Sequence, residues 1–168
     1  MPREISAGGV VLREIAGVLH VALIEPQKSE PHVEPSDTPT KRARTPRRAV
    51  FGLPKGVVDS GEKAQDAAVR EVREETGIVA EAVTKLADNK YVYVRTWGDG
   101  KRVFKIVSFY LMRYVSGDID DLAPEMRIEV KRAVWVPLAD ASSQVAYSNE
   151  RKVLQQAQDY VGTHGLTR

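Results

Sequence analysis

The chain has 168 residues, of which 42% are hydrophobic and 29% are charged, and it contains no cysteine. This length allows one domain with a sizeable core, and the composition is ordinary for a soluble globular protein. The lack of cysteine excludes disulfides, thiol nucleophiles and cysteine-ligated zinc, while a net charge of +2 gives no strong general attraction to nucleic acids or membranes.

The N-terminal residues 1–5 lack the apolar core of a signal peptide, and no apolar stretch approaches membrane-spanning length. We therefore expect a cytoplasmic protein, formed by a single domain over residues 1–168, with no membrane partner. Nucleic acid is not an expected partner, and the sequence leaves both a monomer and a homodimer open.

The first part of the chain predicts two strands followed by a long polar segment. Residues 4–13 and 18–24 are apolar runs, and Gly8 and Gly9 inside the first run mark a bulge or a close approach by another group. Residues 26–48 combine five prolines with polar and charged residues, which predicts a flexible loop inserted between core strands. This loop carries a cationic cluster that is either simply solvated or contacts phosphate or nucleic acid: Lys41, Arg42, Arg44, Arg47 and Arg48.

The centre of the chain predicts an acidic helix. It is expected to begin just after Ser60, its N-cap, and to end at Gly77, a residue type that often terminates helices. Glu71, Glu74 and Glu75 are spaced i, i+3 and i+4, so they share one helix face, where their like charges repel. Clustered carboxylates suit hard divalent cations such as Mg²⁺ or Mn²⁺, and Mg²⁺ commonly takes substrate phosphates as further ligands. The helix therefore predicts metal-assisted chemistry on a phosphate substrate.

The second half of the chain predicts mostly strands and one terminal helix. The predicted strands are residues 78–86, 90–97, 104–114 and 133–137, with a turn at 98–100, a loop at 116–129 and a helix at 148–161 capped by Ser148. Several strands with one central and one terminal helix indicate an α/β protein whose mixed sheet carries helices on both faces.

The central run of the sequence resembles the signature of the Nudix hydrolases. That signature is Gly, five residues, Glu, seven residues, then Arg-Glu-aliphatic-x-Glu-Glu-x-Gly-aliphatic. The matching residues are Gly56, Glu62, Arg70, Glu71, Val72, Glu74, Glu75, Gly77 and Ile78. Residues 5–11 and 135–138 are similar to an early and a late strand of the family, whereas the loop at 26–48 is not part of its common pattern. The resemblance implies the Nudix fold, an α/β/α sandwich with a mixed β-sheet, and hydrolysis of a nucleoside diphosphate linked to some group X.

The resemblance also implies a role for each motif residue. The family's ligands for Mg²⁺ or Mn²⁺ fall on Glu71, Glu74, Glu75 and the backbone carbonyl of Lys55. Glu62 would brace the loop by accepting backbone N–H bonds, and Arg70 would orient a glutamate, since arginine can pair bidentately with a carboxylate. The catalytic base would be Glu74 or Glu75, or a carboxylate outside the motif, for which Glu129 is the first candidate and Glu125 the second.

The substrate-binding residues are predicted from similarity within the family. The Leu-Pro-Lys-Gly sequence at 53–56 is similar to that of diadenosine polyphosphate hydrolases, diphosphoinositol polyphosphate phosphohydrolases and a MutT-like group acting on oxidised guanine nucleotides. Residues 147–154 look like the terminal helix of the dinucleoside-polyphosphate and MutT-like members. The candidates are Lys55, Arg102 and Lys105 for phosphate, and Tyr91, Tyr93 and Trp97 for stacking on a base. Because Tyr91 and Tyr93 alternate along a strand, packing in the core is an equal alternative.

Three interpretations of the activity remain open from the sequence. The first is a Mg²⁺-dependent pyrophosphohydrolase that cleaves a nucleoside or dinucleoside polyphosphate, such as diadenosine tetraphosphate, by water attack on phosphorus. The second keeps this chemistry but takes an oxidised nucleoside triphosphate of the 8-oxo-dGTP type or a diphosphoinositol polyphosphate. The third is a non-catalytic nucleotide-binding Nudix module, and the complete set of motif glutamates argues against it.

Overall fold

The computed structural model describes residues 2–27, 49–95 and 98–166. The predictions for the loop beyond residue 27, including its cationic cluster, and for Trp97 lie outside these residues. Within the described residues, one sheet contains the strands β1 (Arg3–Ile15), β2 (Val18–Pro26), β3 (Lys55–Val57), β4 (Val79–Val94), β5 (Arg102–Ser116) and β6 (Val130–Pro137). The strand order is β4-β5-β1-β2-β6. The short strand β3 pairs with the first half of β1, on the same edge that β2 pairs with further along. Because β1 and β5 run parallel while the other pairs are antiparallel, the sheet is mixed, as expected.

Helices cover both faces of this sheet. They are α1 (Ala64–Thr76), α2 (Leu138–Ala141) and α3 (Ser148–His164). Successive strand residues point to opposite faces, so Val11 packs with Val72 of α1 on one side and Val10 packs with Leu154 of α3 on the other. The predicted α/β/α sandwich is therefore confirmed, with α1 on one face and α2 and α3 on the other. Within the described ranges, no helix is both long enough and apolar enough to cross a bilayer.

The acidic helix ends where the sequence predicts but begins later. Gly77 adopts a left-handed conformation with φ of 85° and donates its N–H to the carbonyl of Arg73, which confirms it as the terminating residue. The predicted N-cap, Ser60, is wrong: the helix begins at Ala64 and Lys63 occupies the N-cap position. The reason lies in the intervening turn, because Gly61 has a φ of 80° and cannot belong to a right-handed helix. The cap predicted for α3 is also displaced by one residue, since Ser148 is the first helical residue.

Other differences from the prediction concern short or irregular elements. The two strands predicted at 78–86 and 90–97 form one strand, β4, which stays continuous through register shifts between residues 79 and 87. The strand β3 begins within the Leu-Pro-Lys-Gly sequence and was not predicted as a strand, and the loop predicted at 116–129 contains a 3₁₀ turn at Pro124–Ile128. The predicted glycine pair is confirmed as a site of close approach: a Cβ atom on Gly8 would overlap the carbonyl oxygen of Pro54, and Gly9 donates its N–H to that oxygen at 3.2 Å.

Candidate active site

The three glutamates of α1 do not share one environment. Glu71 and Glu75 are buried, with 8% and 6% of their surface exposed, whereas the Glu74 side chain is 43% exposed. The two buried glutamates continue the stripe of α1 that begins with Ala67 and Ala68 and packs on the sheet. A buried carboxylate is destabilising unless polar or charged groups compensate it, so the partners of Glu71 and Glu75 define the site.

The backbone of β3 lies directly against Glu71. A Cβ atom on Gly56 would overlap the carboxyl group of Glu71, so only glycine allows this approach. The preceding residue, Lys55, donates its backbone N–H to Glu75 Oε1 at 3.0 Å. One short stretch of backbone is therefore in contact with both buried carboxylates of α1.

The side chain of Lys55 points to the opposite face of the sheet. Its Nζ lies 3.4 Å from Oε2 of Glu150 in the first turn of α3, and both side chains are largely buried. Oε1 of Glu150 accepts the backbone N–H of Leu53 at 2.9 Å. Glu150 was not predicted as a site residue, although it lies on the same helical stripe as Val153 and Leu154, and an acid on an apolar stripe is a detectable signal.

Arg70 links the start of the motif to the glutamates of α1. Its Nε and Nη2 donate to the two carboxylate oxygens of Glu62 at 2.8 and 2.9 Å, and its Nη1 donates to Glu71 Oε2 at 2.9 Å. Glu74 lies farther from the same nitrogen, at 3.4 Å. Glu62 also accepts the backbone N–H of Asp59 at 3.0 Å. The guanidinium therefore holds two carboxylates in a fixed relation while one of them braces the loop.

Burial and these contacts set the pKa values of the site. The hydrogen bond from Arg70, followed by that from the Asp59 N–H, lowers the pKa of Glu62 to about 2. Burial raises the pKa of Glu71 despite the opposing charge of Arg70. Burial also raises the pKa of Glu75 to about 8, against the opposing charge and N–H of Lys55. For Glu71 and Glu75, the neighbouring positive groups thus offset burial only in part. A hard divalent cation bound by these carboxylate oxygens would stabilise their charged form.

The metal ligands expected from the resemblance do not form a closed cage. Among residues 2–27, 49–95 and 98–166, no three histidine, aspartate or glutamate side chains are arranged to hold an ion by themselves. In the described structure, Arg70 binds Glu71, and Glu75 accepts the N–H of Lys55. The oxygen donors still fit Mg²⁺ or Mn²⁺, which typically retains waters and recruits substrate phosphates rather than using a complete protein cage.

Of the two outside candidates for the base, Glu129 acts electrostatically on the two buried glutamates of α1. Its negative charge is among the influences that raise the pKa values of both Glu71 and Glu75, and its own side chain is exposed. It follows the 3₁₀ turn, and its carbonyl accepts the N–H of Gln27 at 3.0 Å. Glu125 instead borders a separate surface pocket beside Glu74.

The predicted substrate-binding residues divide into two groups on opposite faces. Tyr91 pairs with Lys105 across β4 and β5, and both point toward the α3 side of the sheet. The hydroxyl of Tyr93 donates to Glu4 Oε1 at 2.6 Å, and Lys105 Nζ lies 3.8 Å from Oε2 of the same glutamate. Arg102 faces the α1 side, because it is three residues from Lys105 along the strand. Arg102 and Lys105 therefore lie on opposite faces of the sheet, and Tyr91, only 5% exposed, packs in the core, which is the alternative that the sequence left open.

A cavity of 250 Å³ opens next to Lys55 on the α3 side. Its walls combine apolar and polar groups, among them Ile24, Phe51, Leu53, Tyr147 and Glu150. The guanidinium of Arg132 lies 5.1 Å from the centre of the Phe51 ring. This cavity could not be predicted from the sequence, because its walls come from segments that are far apart in the chain.

The site combines two buried glutamates, a close glycine backbone and an arginine that binds two carboxylates, on a sheet covered by helices on both faces. This combination agrees with the family resemblance found in the sequence. The chain belongs to the Nudix family: the model of the NUDIX domain matches residues 38–157. The putative mutator protein MutT4 of Mycobacterium tuberculosis is 38% identical over 68% of this chain and 43% of its own length. The 8-oxo-(d)GTP phosphatase of Mycolicibacterium smegmatis is 34% identical over 66% of this chain and 30% of its own length. The chain thus spans less than half of these curated relatives.

Solved structures support the fold independently. A Caenorhabditis elegans Ap4A hydrolase in a binary complex aligns with a TM-score of 0.64 and 24% identity, covering 95% of this chain and 98% of that one. A MutT NUDIX hydrolase from Burkholderia pseudomallei aligns with a TM-score of 0.62 and 22% identity, covering 93% of this chain and 98% of that one. At these identities the similarity establishes a shared fold.

Proposed function

We propose that the chain is a metal-dependent Nudix hydrolase that cleaves the pyrophosphate linkage of a nucleoside or dinucleoside polyphosphate by attack of water on phosphorus. The observation that carries this proposal is the contact of the backbone at Lys55 and Gly56 with the carboxylates of Glu75 and Glu71. The contact brings two carboxylates to the backbone segment that carries the Lys55 carbonyl, and carboxylate oxygens are the side-chain ligands by which proteins hold Mg²⁺ beside substrate phosphates. The same proposal takes residues 1–168 as one domain.

The proposed metal ligands are Glu71, Glu74, Glu75 and the carbonyl of Lys55. A bound Mg²⁺ or Mn²⁺ would polarise a phosphoryl oxygen, lower the pKa of water and neutralise developing charge. The protein's own contribution is to fix these oxygen donors. Arg70 does so by binding Glu62 and Glu71 at once, which limits the rotamers open to Glu71.

Glu129 is the proposed general base. It is exposed, so it can be reached by the attacking water, and its charge acts on both buried glutamates of α1. Glu75 is less suited, because it is buried, accepts the backbone N–H of Lys55 and is itself a proposed metal ligand. Glu129→Gln should lower kcat by about 10²- to 10⁴-fold and remove the acidic limb of the pH–rate profile. An unchanged profile would return the role to Glu74 or Glu75.

We propose the cavity beside Lys55 as the place where the nucleoside part of the substrate binds. Its apolar walls suit a base, and its polar groups suit orientation of the substrate. A second candidate substrate, an oxidised guanine nucleoside triphosphate, is favoured by one observation: relatives at 38% and 34% identity are named as a mutator protein and as an 8-oxo-(d)GTP phosphatase.

Product analysis distinguishes these substrates. The protein is incubated with Mg²⁺ and either diadenosine tetraphosphate or 8-oxo-dGTP, and the products are separated by anion exchange. ATP released from the dinucleotide supports the first candidate, and pyrophosphate released from the triphosphate supports the second. Binding of either nucleotide without turnover would instead identify a non-catalytic module. For the variant Glu129→Gln, Glu81→Gln is a suitable control, because Glu81 pairs with Arg113 at an exposed position on β4 and β5.

A further inference from the structure

The carboxylate of Glu150 has two different partners in one short segment. Oε1 accepts the N–H of Leu53 at 2.9 Å, and Oε2 lies 3.4 Å from the ammonium of Lys55. Glu150 is only 3% exposed, and a Cβ atom on Gly52 would lie 3.3 Å from Oε1, so the carboxylate is packed directly against this backbone. It comes from the first turn of α3, where the helix dipole favours a negative charge.

The segment held by Glu150 also contacts the proposed metal site. Lys55 donates its backbone N–H to Glu75, and the next residue, Gly56, lies against Glu71. Residues 53–56 are therefore held from the α3 side by one carboxylate and from the α1 side by two others. Because β3 is only three residues long, its own pairing with β1 gives little rigidity, and these side-chain contacts fix its position.

A gain in folding stability does not by itself explain the buried ion pair between Glu150 and Lys55. Replacing a buried ion pair by apolar residues of similar volume is often neutral or stabilising. A hydrogen bond to a backbone N–H, by contrast, fixes the position of the peptide that carries it. We propose that Glu150 is a positioning residue that holds residues 53–55 so that the Lys55 carbonyl is presented to the metal. This inference rests on the proposed function.

Two double variants separate positioning from charge pairing. Lys55→Met with Glu150→Gln removes both charges and keeps an oxygen acceptor for the Leu53 N–H. Lys55→Met with Glu150→Leu removes the same charges and also the acceptor. We expect the leucine variant to bind Mn²⁺ about 10- to 100-fold more weakly than the glutamine variant, the range typical for loss of a group that orients a metal ligand.

Two measurements read out this comparison without turnover. Mn²⁺ affinity is measured from the EPR signal of the free ion, and the exchange rate of the Leu53 amide is measured by NMR, where the leucine variant should exchange faster. Asp88→Asn is the control, because it breaks an ion pair with Lys85 of 2.8 Å on β4 and should leave both values unchanged. Urea unfolding shows whether each variant is folded.

If the leucine variant does not fold, Glu150→Asp provides the second test. Aspartate keeps the charge opposite Lys55 but withdraws the acceptor from Leu53, so Mn²⁺ binding should weaken; wild-type affinity would overturn the proposal. Equal Mn²⁺ affinity and equal Leu53 exchange in the two double variants would also overturn it, as would a wild-type protein that binds no Mn²⁺. Differing affinities without hydrolysis of any nucleotide would contradict the proposed function and leave the positioning role supported.

Discussion

Gly56→Ala tests whether the contact between β3 and α1 determines the geometry of the site. The added methyl group would overlap the carboxyl carbon and both oxygens of Glu71. That carboxylate cannot easily turn away, because it is buried and accepts an N–H of Arg70 at 2.9 Å. Restoring ordinary van der Waals contact requires a displacement of roughly 1 Å, shared between the backbone and the carboxylate.

The size of the expected effect follows from that displacement. Misplacing a reacting group by about 1 Å can reduce a rate by about 10²-fold, so kcat/KM for Mg²⁺-dependent nucleotide hydrolysis should fall by about two orders of magnitude. Overpacking at a buried contact typically costs about 1–3 kcal/mol in the free energy of unfolding. The variant should therefore remain folded while losing most of its activity.

A matched glycine serves as the control. Gly162 lies in α3, and a Cβ atom there would meet no heavy atom within 4 Å. Gly162→Ala should raise the free energy of unfolding by up to about 1 kcal/mol through helix propensity and leave turnover unchanged. Steady-state kinetics and urea unfolding are measured on both variants. The same kcat/KM in Gly56→Ala and Gly162→Ala would refute the reasoning, because the close approach of Gly56 would then have no catalytic consequence.

Three further predictions concern the arginine fork and two carboxyl groups. Arg70→Lys cannot reproduce two parallel bonds to Glu62 together with a bond to Glu71, so kcat/KM should fall by about 10- to 100-fold in steady-state assays. The hydrogen bond from Arg127 lowers the pKa of Asp120, so its stabilising effect exists above the unfolded pKa of about 3.9 and is lost as the pH falls through the folded value. Asp120→Asn should therefore flatten the acid side of the pH–stability curve measured by urea unfolding, at a cost below about 1 kcal/mol at pH 7 for this partly exposed pair. Burial raises the pKa of Glu75 to about 8, so its contribution to stability is complete below about pH 4 and is lost as the pH rises toward 8. Without metal or nucleotide, Glu75→Gln should be more stable than the wild type at pH 8 but not at pH 4, while its turnover falls by several orders of magnitude.

Each of these predictions has a contradicting result. Wild-type kinetics in Arg70→Lys would show that a single charge is sufficient at that position. An unaltered acid transition in Asp120→Asn would mean that other carboxylates control it; the φ of 73° at Asp120 makes asparagine a suitable replacement, since both residue types tolerate that conformation. A stability difference for Glu75→Gln that does not depend on pH would show that ionisation of Glu75 is not coupled to folding.

Local patterns in the sequence were sufficient to predict α1 but not the short strand β3 beside it. The 3.6-residue period identified α1, and the glycine at residue 77 correctly marked its end. Its start was predicted wrongly because Ser60 has the chemistry of an N-cap, whereas the left-handed φ of Gly61 turns the chain before the helix begins. The opposite orientations of Arg102 and Lys105 could also be predicted, because residues three apart on a strand point to opposite faces.

Contacts between distant residues could not be predicted in the same way. Leu53 and Glu150 are 97 residues apart, and their hydrogen bond depends on how α3 packs over the sheet. Likewise, the spacing of the α1 glutamates placed them on one face but could not show that Glu71 and Glu75 are buried while Glu74 is exposed. That difference depends on where β3 crosses the helix, which is a property of the tertiary structure.

The burial of Glu71 and Glu75 lowers the stability of the folded chain in return for a site suited to a divalent cation. A carboxyl group with a raised pKa makes the folded state less stable at neutral pH than a neutral group of the same shape would. Glu75 is in this position, and its only compensation in the described structure comes from Lys55. Because a divalent cation and substrate phosphates bind only the folded chain, they would stabilise it by mass action. The burial that makes ionised Glu75 destabilising would therefore also favour binding of a divalent cation to this carboxylate.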